Sequence, residues 1–262
     1  MSDVVRDGLG VSRSWGDGPE VVFLSNPLAD PVLWSSTGRE SLLRHGYRVT
    51  TFEHGCAGLD WRSAVSCVAE FVAHKARPVA LVGWSQGAVL AQETALAVPE
   101  YATCAVLLAT YGRQNEIDKT LQASWDLLAA ADEEWDSLRL AMSFLTSFPA
   151  EQLADDDFVA HMRAIQTEWS ARPDQGKRQR SSCFIATYQD RLEALMDLSI
   201  RCLVMGFSLD ADTFASRARE VAHAIPSATY LELPGVGHAA PISKPNQVWP
   251  PVVEFIRRHH PA

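Results

Sequence analysis

Residues 78–87, PVALVGWSQG, decide the fold. Positions 79–82 are apolar without interruption, the pattern of a strand buried on both faces of a sheet. Gly83-Trp84-Ser85-Gln86-Gly87 follows, and a helical run occupies 88–97. Strand, G-x-S-x-G and helix in that order make a sharp turn with a serine at its apex. Side chains at 83 and 87 would collide with neighbouring backbone, so glycine stands at both. The turn lifts the Ser85 hydroxyl above the sheet, beside a helix N-terminus whose N–H groups suit a developing oxyanion. A serine between glycines also marks ordinary loops. The flanking strand and helix argue for more here, and a histidine and an acid in the right order would strengthen the case.

Outward from this stretch, the chain alternates strand and helix. A hairpin is expected over 4–15, broken at Gly8 and Gly10. Buried strands are expected at 20–25, 47–52, 102–109 and 201–206, with a shorter one at 229–233. Helical patterns fall at 39–45, 61–75, 215–225 and 245–258. This alternation implies an α/β fold with a mostly parallel central sheet flanked by helices.

Between 113 and 198 the pattern changes. No strand is evident, acidic residues and Trp are frequent, and helices are expected at 115–131, 133–147, 151–168 and 180–196. Leu121, Trp125, Leu128, Leu138, Met142 and Leu145 recur at helical spacing and are read as buried faces. The expected organisation is a core of residues 1–112 and 199–262 with an all-helical cap, 113–198, inserted in it. A cap at the mouth of the sheet makes Trp125, Trp135, Trp169, Tyr111 and Tyr188 candidate pocket walls.

Bulk properties narrow the partners. A formal charge of −9 over 262 residues argues against nucleic acid and against an anionic membrane surface. No run of about 18 apolar residues is present to span a bilayer, and the N-terminal MSDVVRDGLG has no apolar leader region. A cytoplasmic location is the resulting expectation. The five cysteines are dispersed without a CxxC pair and are expected as reduced thiols, mostly filling the core. The histidines do not cluster at ligand spacing, so neither a metal nor a cofactor is expected. A small molecule is the expected partner, and a homodimer is left open.

Ser85, an acid after 201–206 and His238 after 229–233 give the chain order Ser, Asp, His. On these residues the chain resembles the α/β-hydrolase family from 21 to 255, most loosely in the cap. The matching pieces are GWSQG, CLVMGFSLD and IPSATYLELPGVGHAAPISKP. Within the family it is most similar to enol-lactone hydrolases and cofactor-free haloperoxidase-like esterases, and FLSN at 23–26 resembles the Leu-Ser-Asn of enol-lactonases.

The resemblance implies that Ser85 is the nucleophile, that His238 takes and returns its proton, and that an acid orients the imidazole. Asp210, four residues after Gly206, matches the family spacing best. Asp212 competes for the role, and Glu116 is a more distant third. One oxyanion donor would be the Gln86 N–H. The second normally follows a His-Gly pair, but here Ser25-Asn26 take those places and Pro27 has no N–H. The Asn26 N–H or side-chain amide must then donate, or ester hydrolysis is weak. Ser25, Pro27, Trp84, Trp125 and Tyr188 are the implied substrate contacts. His54 lies in a loop where relatives carry Asp and Arg-Gly, and is read as structural or as lining the pocket entrance.

The expected activity is hydrolysis of a small, apolar ester, lactone or thioester through an acyl-enzyme, with halide oxidation as an incidental side reaction. An alternative keeps the fold and uses His238 as general base in a non-hydrolytic cyclisation, elimination or carbon–carbon bond step. A ligand-binding module has no need of all three residues.

Overall fold

The computed structural model describes residues 3–25, 30–55, 60–131, 133–170 and 184–262. Eight strands form one sheet: β1 (Asp3–Arg6), β2 (Gly10–Trp15), β3 (Glu20–Leu24), β4 (Arg48–His54), β5 (Val79–Trp84), β6 (Ala102–Leu108), β7 (Arg201–Phe207) and β8 (Ala228–Leu233). Their spatial order is β1-β2-β4-β3-β5-β6-β7-β8. β1 and β2 form the expected antiparallel hairpin, and β2 pairs antiparallel with β4. Every pairing from β4 through β3 to β8 is parallel. This is the α/β-hydrolase fold, with β5 near the middle of the sheet.

Short apolar runs become buried strands because helices cover both faces. On one face pack α3 (Trp61–Ala73), α4 (Gln86–Ala97) and α9 (Ala215–Ala224), on the other α1 (Pro31–Trp34), α2 (Ser36–Arg44), α10 (Ala240–Ser243) and α11 (Pro245–His259). α3 starts where Asp60 accepts a hydrogen bond from Ser63 N at 2.8 Å, a side-chain N-cap. Its buried stripe of Trp61, Ala64, Val65, Val68, Phe71 and Val72 follows the helical period. α4 is buried on every side from Gln86 to Ala95, so it reads as apolar with almost no stripe.

Between β6 and β7 the described elements are α5 (Glu116–Ala130), α6 (Asp136–Ser147), α7 (Ala150–Leu153) and α8 (Asp156–Ser170), with short helical turns at 184–187 and Ala194–Asp197. α5 opens with a reciprocal Asn115–Asp118 capping box. The helix expected over 180–196 is not continuous. After 184–187 the chain turns back so that Arg191 N can donate to Gly112 O at 2.8 Å. The buried face expected on α6 is also corrected. Leu138 and Leu145 are exposed, and Phe144 is the residue that turns inward. Phe144, Phe148 and Phe158 then pack edge to face at 5.5 and 5.1 Å.

Cys104 and Cys202 are buried free thiols, and burial pushes each up to about 12, which keeps them unreactive. Cys67, by contrast, is disulfide-bonded, which corrects the expectation of reduced thiols throughout. Among the described residues no helix is long and apolar enough to cross a membrane.

Candidate active site

Ser85 sits one residue beyond β5 as the N-cap of α4, with φ 57° and ψ −127°. A non-glycine residue at positive φ is strained and persists only where its surroundings enforce it. Here the glycines do so. A Cβ on Gly83 would run into the Gly87 carbonyl, and one on Gly87 would meet the Leu24 carbonyl and lie 2.7 Å from Ser25 Cα. Ser85 N donates to Leu108 O at 2.9 Å, tying the turn to the end of β6. Ala109, one residue past that strand, is the other non-glycine residue at positive φ among those described, at 50°. The strain therefore collects along one edge of the sheet, at the C-terminal ends of adjacent parallel strands.

His238 lies beyond β8 and Asp210 beyond β7, and the fold brings them together. His238 Nδ1 and Asp210 Oδ2 are 2.8 Å apart, with the Asp210 side chain wholly buried. The other oxygen of Asp210 accepts from Asp212 N at 2.9 Å and Thr213 N at 2.7 Å, a local turn that fixes the carboxylate. Asp212 reaches the same ring from its far side. Its Oδ2 is 3.3 Å from His238 Nε2, on a side chain 31 % exposed. Burial works to lower the His238 pKa, but the Asp210 and Asp212 carboxylates outweigh it and raise the imidazole to about 9. Burial raises Asp212 from the usual carboxylate range, partly opposed by His238 and reinforced by Asp210.

Trp84, an implied substrate contact, is packed against the histidine loop. It is 8 % exposed, its ring tilts against the His238 ring at 5.5 Å, and its Nε1 donates to His238 O at 3.0 Å. Trp34 backs it at 5.7 Å. On the other side, Ala239 N donates to Ser147 O at 3.0 Å, joining the histidine loop to the end of α6.

Tyr188 is likewise packed, not open. It is 4 % exposed, and its hydroxyl donates to Glu93 Oε1 at 2.7 Å and accepts from Gln92 Nε2 at 3.0 Å. Arg191 completes the group by pairing with Glu93 at 3.1 Å, and Thr110 donates to Gln92 at 2.8 Å. Sequence reasoning missed this network, although a buried Glu within the apolar run of α4 was a signal that a cation must approach it.

Tyr111 packs edge-on against Tyr188 at 5.6 Å. Trp125 is half-buried on α5 and Trp135 is exposed. Glu116 faces solvent in an ion pair with Lys119, far from any role at His238. His54 closes β4 opposite Gly10 of β2. Ser25 and Gln86 are both buried at the turn, Ser25 just past β3 and Gln86 first in α4. Asn26, Pro27 and the Trp169 side chain lie outside the described residues. Among the described residues, no group of three or more His, Cys, Asp or Glu is arranged to hold a metal ion.

A serine on an enforced turn and a histidine held by a buried carboxylate, both at the C-terminal edge of this sheet, define a class. The chain belongs to the alpha/beta hydrolase family, which matches it over residues 8–249. It is 29 % identical over 249 residues to the Mycobacterium tuberculosis protein named as the non-heme bromoperoxidase BpoC, covering 92 % of this chain and 94 % of that one. The BpoC crystal structure superposes with a TM-score of 0.84 at 26 % identity, over 98 % and 96 % of the two chains. A thermophilic esterase from Thermogutta terrifontis shares the fold at a TM-score of 0.78, with 16 % identity over 99 % of each chain.

Proposed function

We propose that the protein is a serine hydrolase that cleaves a small, apolar ester, lactone or thioester through an acyl-enzyme. The observation that carries this reading is the Ser85 backbone, held at φ 57° between two glycines that admit no side chain. In this reading Ser85 Oγ attacks the carbonyl, and His238 Nε2 takes its proton and returns it to the leaving group. Asp210 keeps the other proton on Nδ1 and stabilises the imidazolium. The Gln86 N–H receives the oxyanion, joined by Asn26 because Pro27 has no N–H to give. Residues 113–198 act as a cap, with Trp125 offering an aromatic wall and Ser25 lining the floor. In line with the bromoperoxidase relatives, hydrogen peroxide replacing water at the acyl-Ser85 would release a peracid that oxidises halide, as a secondary activity.

The test is covalent labelling with a small fluorophosphonate, read by intact mass. One adduct on the wild type and none on Ser85→Ala supports an activated nucleophile; no adduct with probes of decreasing size removes the reading. The missing donor at Pro27 favours a second reading, in which His238 is the base of a non-hydrolytic step. Turnover that survives Ser85→Ala would establish that reading in place of the first.

A further inference from the structure

The acyl-enzyme reading leaves Asp212 without a role, yet Asp212 occupies the position that matters most to it. His238 Nε2 must be open to the Ser85 proton, and the group standing against it is Asp212 Oδ2, at 3.3 Å. Asp210 Oδ2 already holds Nδ1 at 2.8 Å. Asp210 is hydrogen-bonded to the ring, whereas Asp212 meets it as a charge: a neutral imidazole gives that carboxylate little to hold, and an imidazolium attracts both. Resting on the acyl-enzyme reading, we propose that Asp212 is a positioning residue that latches His238 as an imidazolium, so that loss of the Nε2 proton both opens the latch and arms the base.

The proton bookkeeping is simple. Latched, the ring carries protons on Nδ1 and Nε2, and the three groups sum to a charge of about −1. The Nε2 proton leaves to water. The ring is then neutral, its Nε2 lone pair faces a carboxylate, and the attraction that held Asp212 beside it is gone. The Asp212 carboxylate, on a partly exposed side chain, swings toward solvent. Nε2 is then free to accept the Ser85 proton as Oγ bonds to the carbonyl carbon.

The surroundings fit a device centred on these two residues. From β5, His238 meets the uncharged Trp84 ring, and beside it the insert offers the Ser147 carbonyl. The charges acting on His238 are Asp210 and Asp212. Those neighbouring Asp212 are Asp210 and His238, with Asp118 beyond them, itself paired with Arg217 at 3.7 Å; the uncharged Tyr111 phenol lies nearby. The raised His238 value agrees with the latch, since both carboxylates contribute to it.

The experiment compares wild type, Asp212→Asn and Asp212→Ala by two readouts. The first is the His238 titration midpoint from imidazole nitrogen NMR, which does not depend on Ser85. The second is the rate of fluorophosphonate labelling from pH 6 to 10. The latch predicts a midpoint lowered by about one unit or more in both variants, with labelling at pH 7 about tenfold faster, as one unit of pKa dictates. A His238 midpoint that stays in place in both folded variants overturns the proposal. So does labelling that is slower at every pH with the limb unmoved, which is what a merely structural Asp212 would give. If none of the three proteins labels while the midpoint still falls, the acyl-enzyme reading is what fails and the Asp212–His238 latch stands.

Discussion

Around Ser85 backbone is packed against backbone with no room to spare, whereas the described residues of 113–198 are held to the rest of the molecule at separate points. Gly83 and Gly87 leave no room even for a methyl group, and Ser85 between them is held at φ 57°. The helices between β6 and β7 instead leave Leu127, Leu138 and Leu145 exposed, and are tied down at points such as Arg191–Glu93 and Ala239–Ser147. Chemistry demands placement to a fraction of an ångström, and carbonyl-against-glycine packing supplies it. Residues that shape a pocket tolerate more, because side chains can repack without moving a strand.

If that contrast holds, substitutions should fall off in severity from the turn outward. On the acyl-enzyme reading, Ser85→Ala should reduce hydrolytic kcat by about 10⁴-fold or more, with the fold intact by circular dichroism. Retained turnover would separate the turn's geometry from its chemistry. Gly87→Ala should cost about 3 kcal/mol or more in urea unfolding, since its new Cβ meets backbone that cannot yield without shifting β3. Arg191→Met leaves Glu93 buried without its cation and should cost about 3 kcal/mol; adding Glu93→Gln should recover most of that. Failure to recover would mean that the insert is anchored some other way.

A pH effect comes next. His238 is raised to about 9 from 6.5, so its charge-pairing stabilises the fold fully below pH 6.5 and is lost as the pH climbs through 9. Wild-type Tm should therefore fall across that window, and His238→Asn should show a flatter profile. Activity that requires a neutral imidazole rises over the same range, so stability and rate move in opposite directions. The smallest effect belongs to the insert's surface: Leu145→Ser, at a side chain mostly in solvent, should change stability by no more than about 0.5 kcal/mol. A large loss there would place Leu145 in an interface and erase the contrast.

The same contrast governs what the sequence could reveal. The strands, their mostly parallel arrangement and the turn follow from short-range rules, namely apolar runs and glycine spacing, and could be read directly, whereas Asp210 as the partner of His238 came only through the family resemblance. The insert could be read only as helical. Its 3.6-residue pattern was compatible with Leu138 and Leu145 facing inward, and tertiary packing chose Phe144. Trp84 and Tyr188 were legible as large aromatics near the site, but their polar ends found His238 O and Glu93, and that is a matter of three-dimensional approach. Asp212 could be seen as a rival to Asp210. Its arrival at the opposite ring nitrogen depends on the turn that Asp210 makes with Asp212 N and Thr213 N.

The loop that carries His238 is gripped from two sides, by Trp84 of the turn and by Ser147 at the end of α6. That dual grip limits how freely the molecule can be re-engineered for other substrates. On the acyl-enzyme reading, exchanging residues 113–198 wholesale for the corresponding block of a relative would disturb one of the two contacts holding His238, and kcat would drop for every substrate alike. A chimera that retains 144–149 and varies α5 and α8 keeps the grip, and on the same reading should alter substrate preference while leaving the placement of His238 unchanged. The insert is thus interchangeable in parts, and its seam runs through α6.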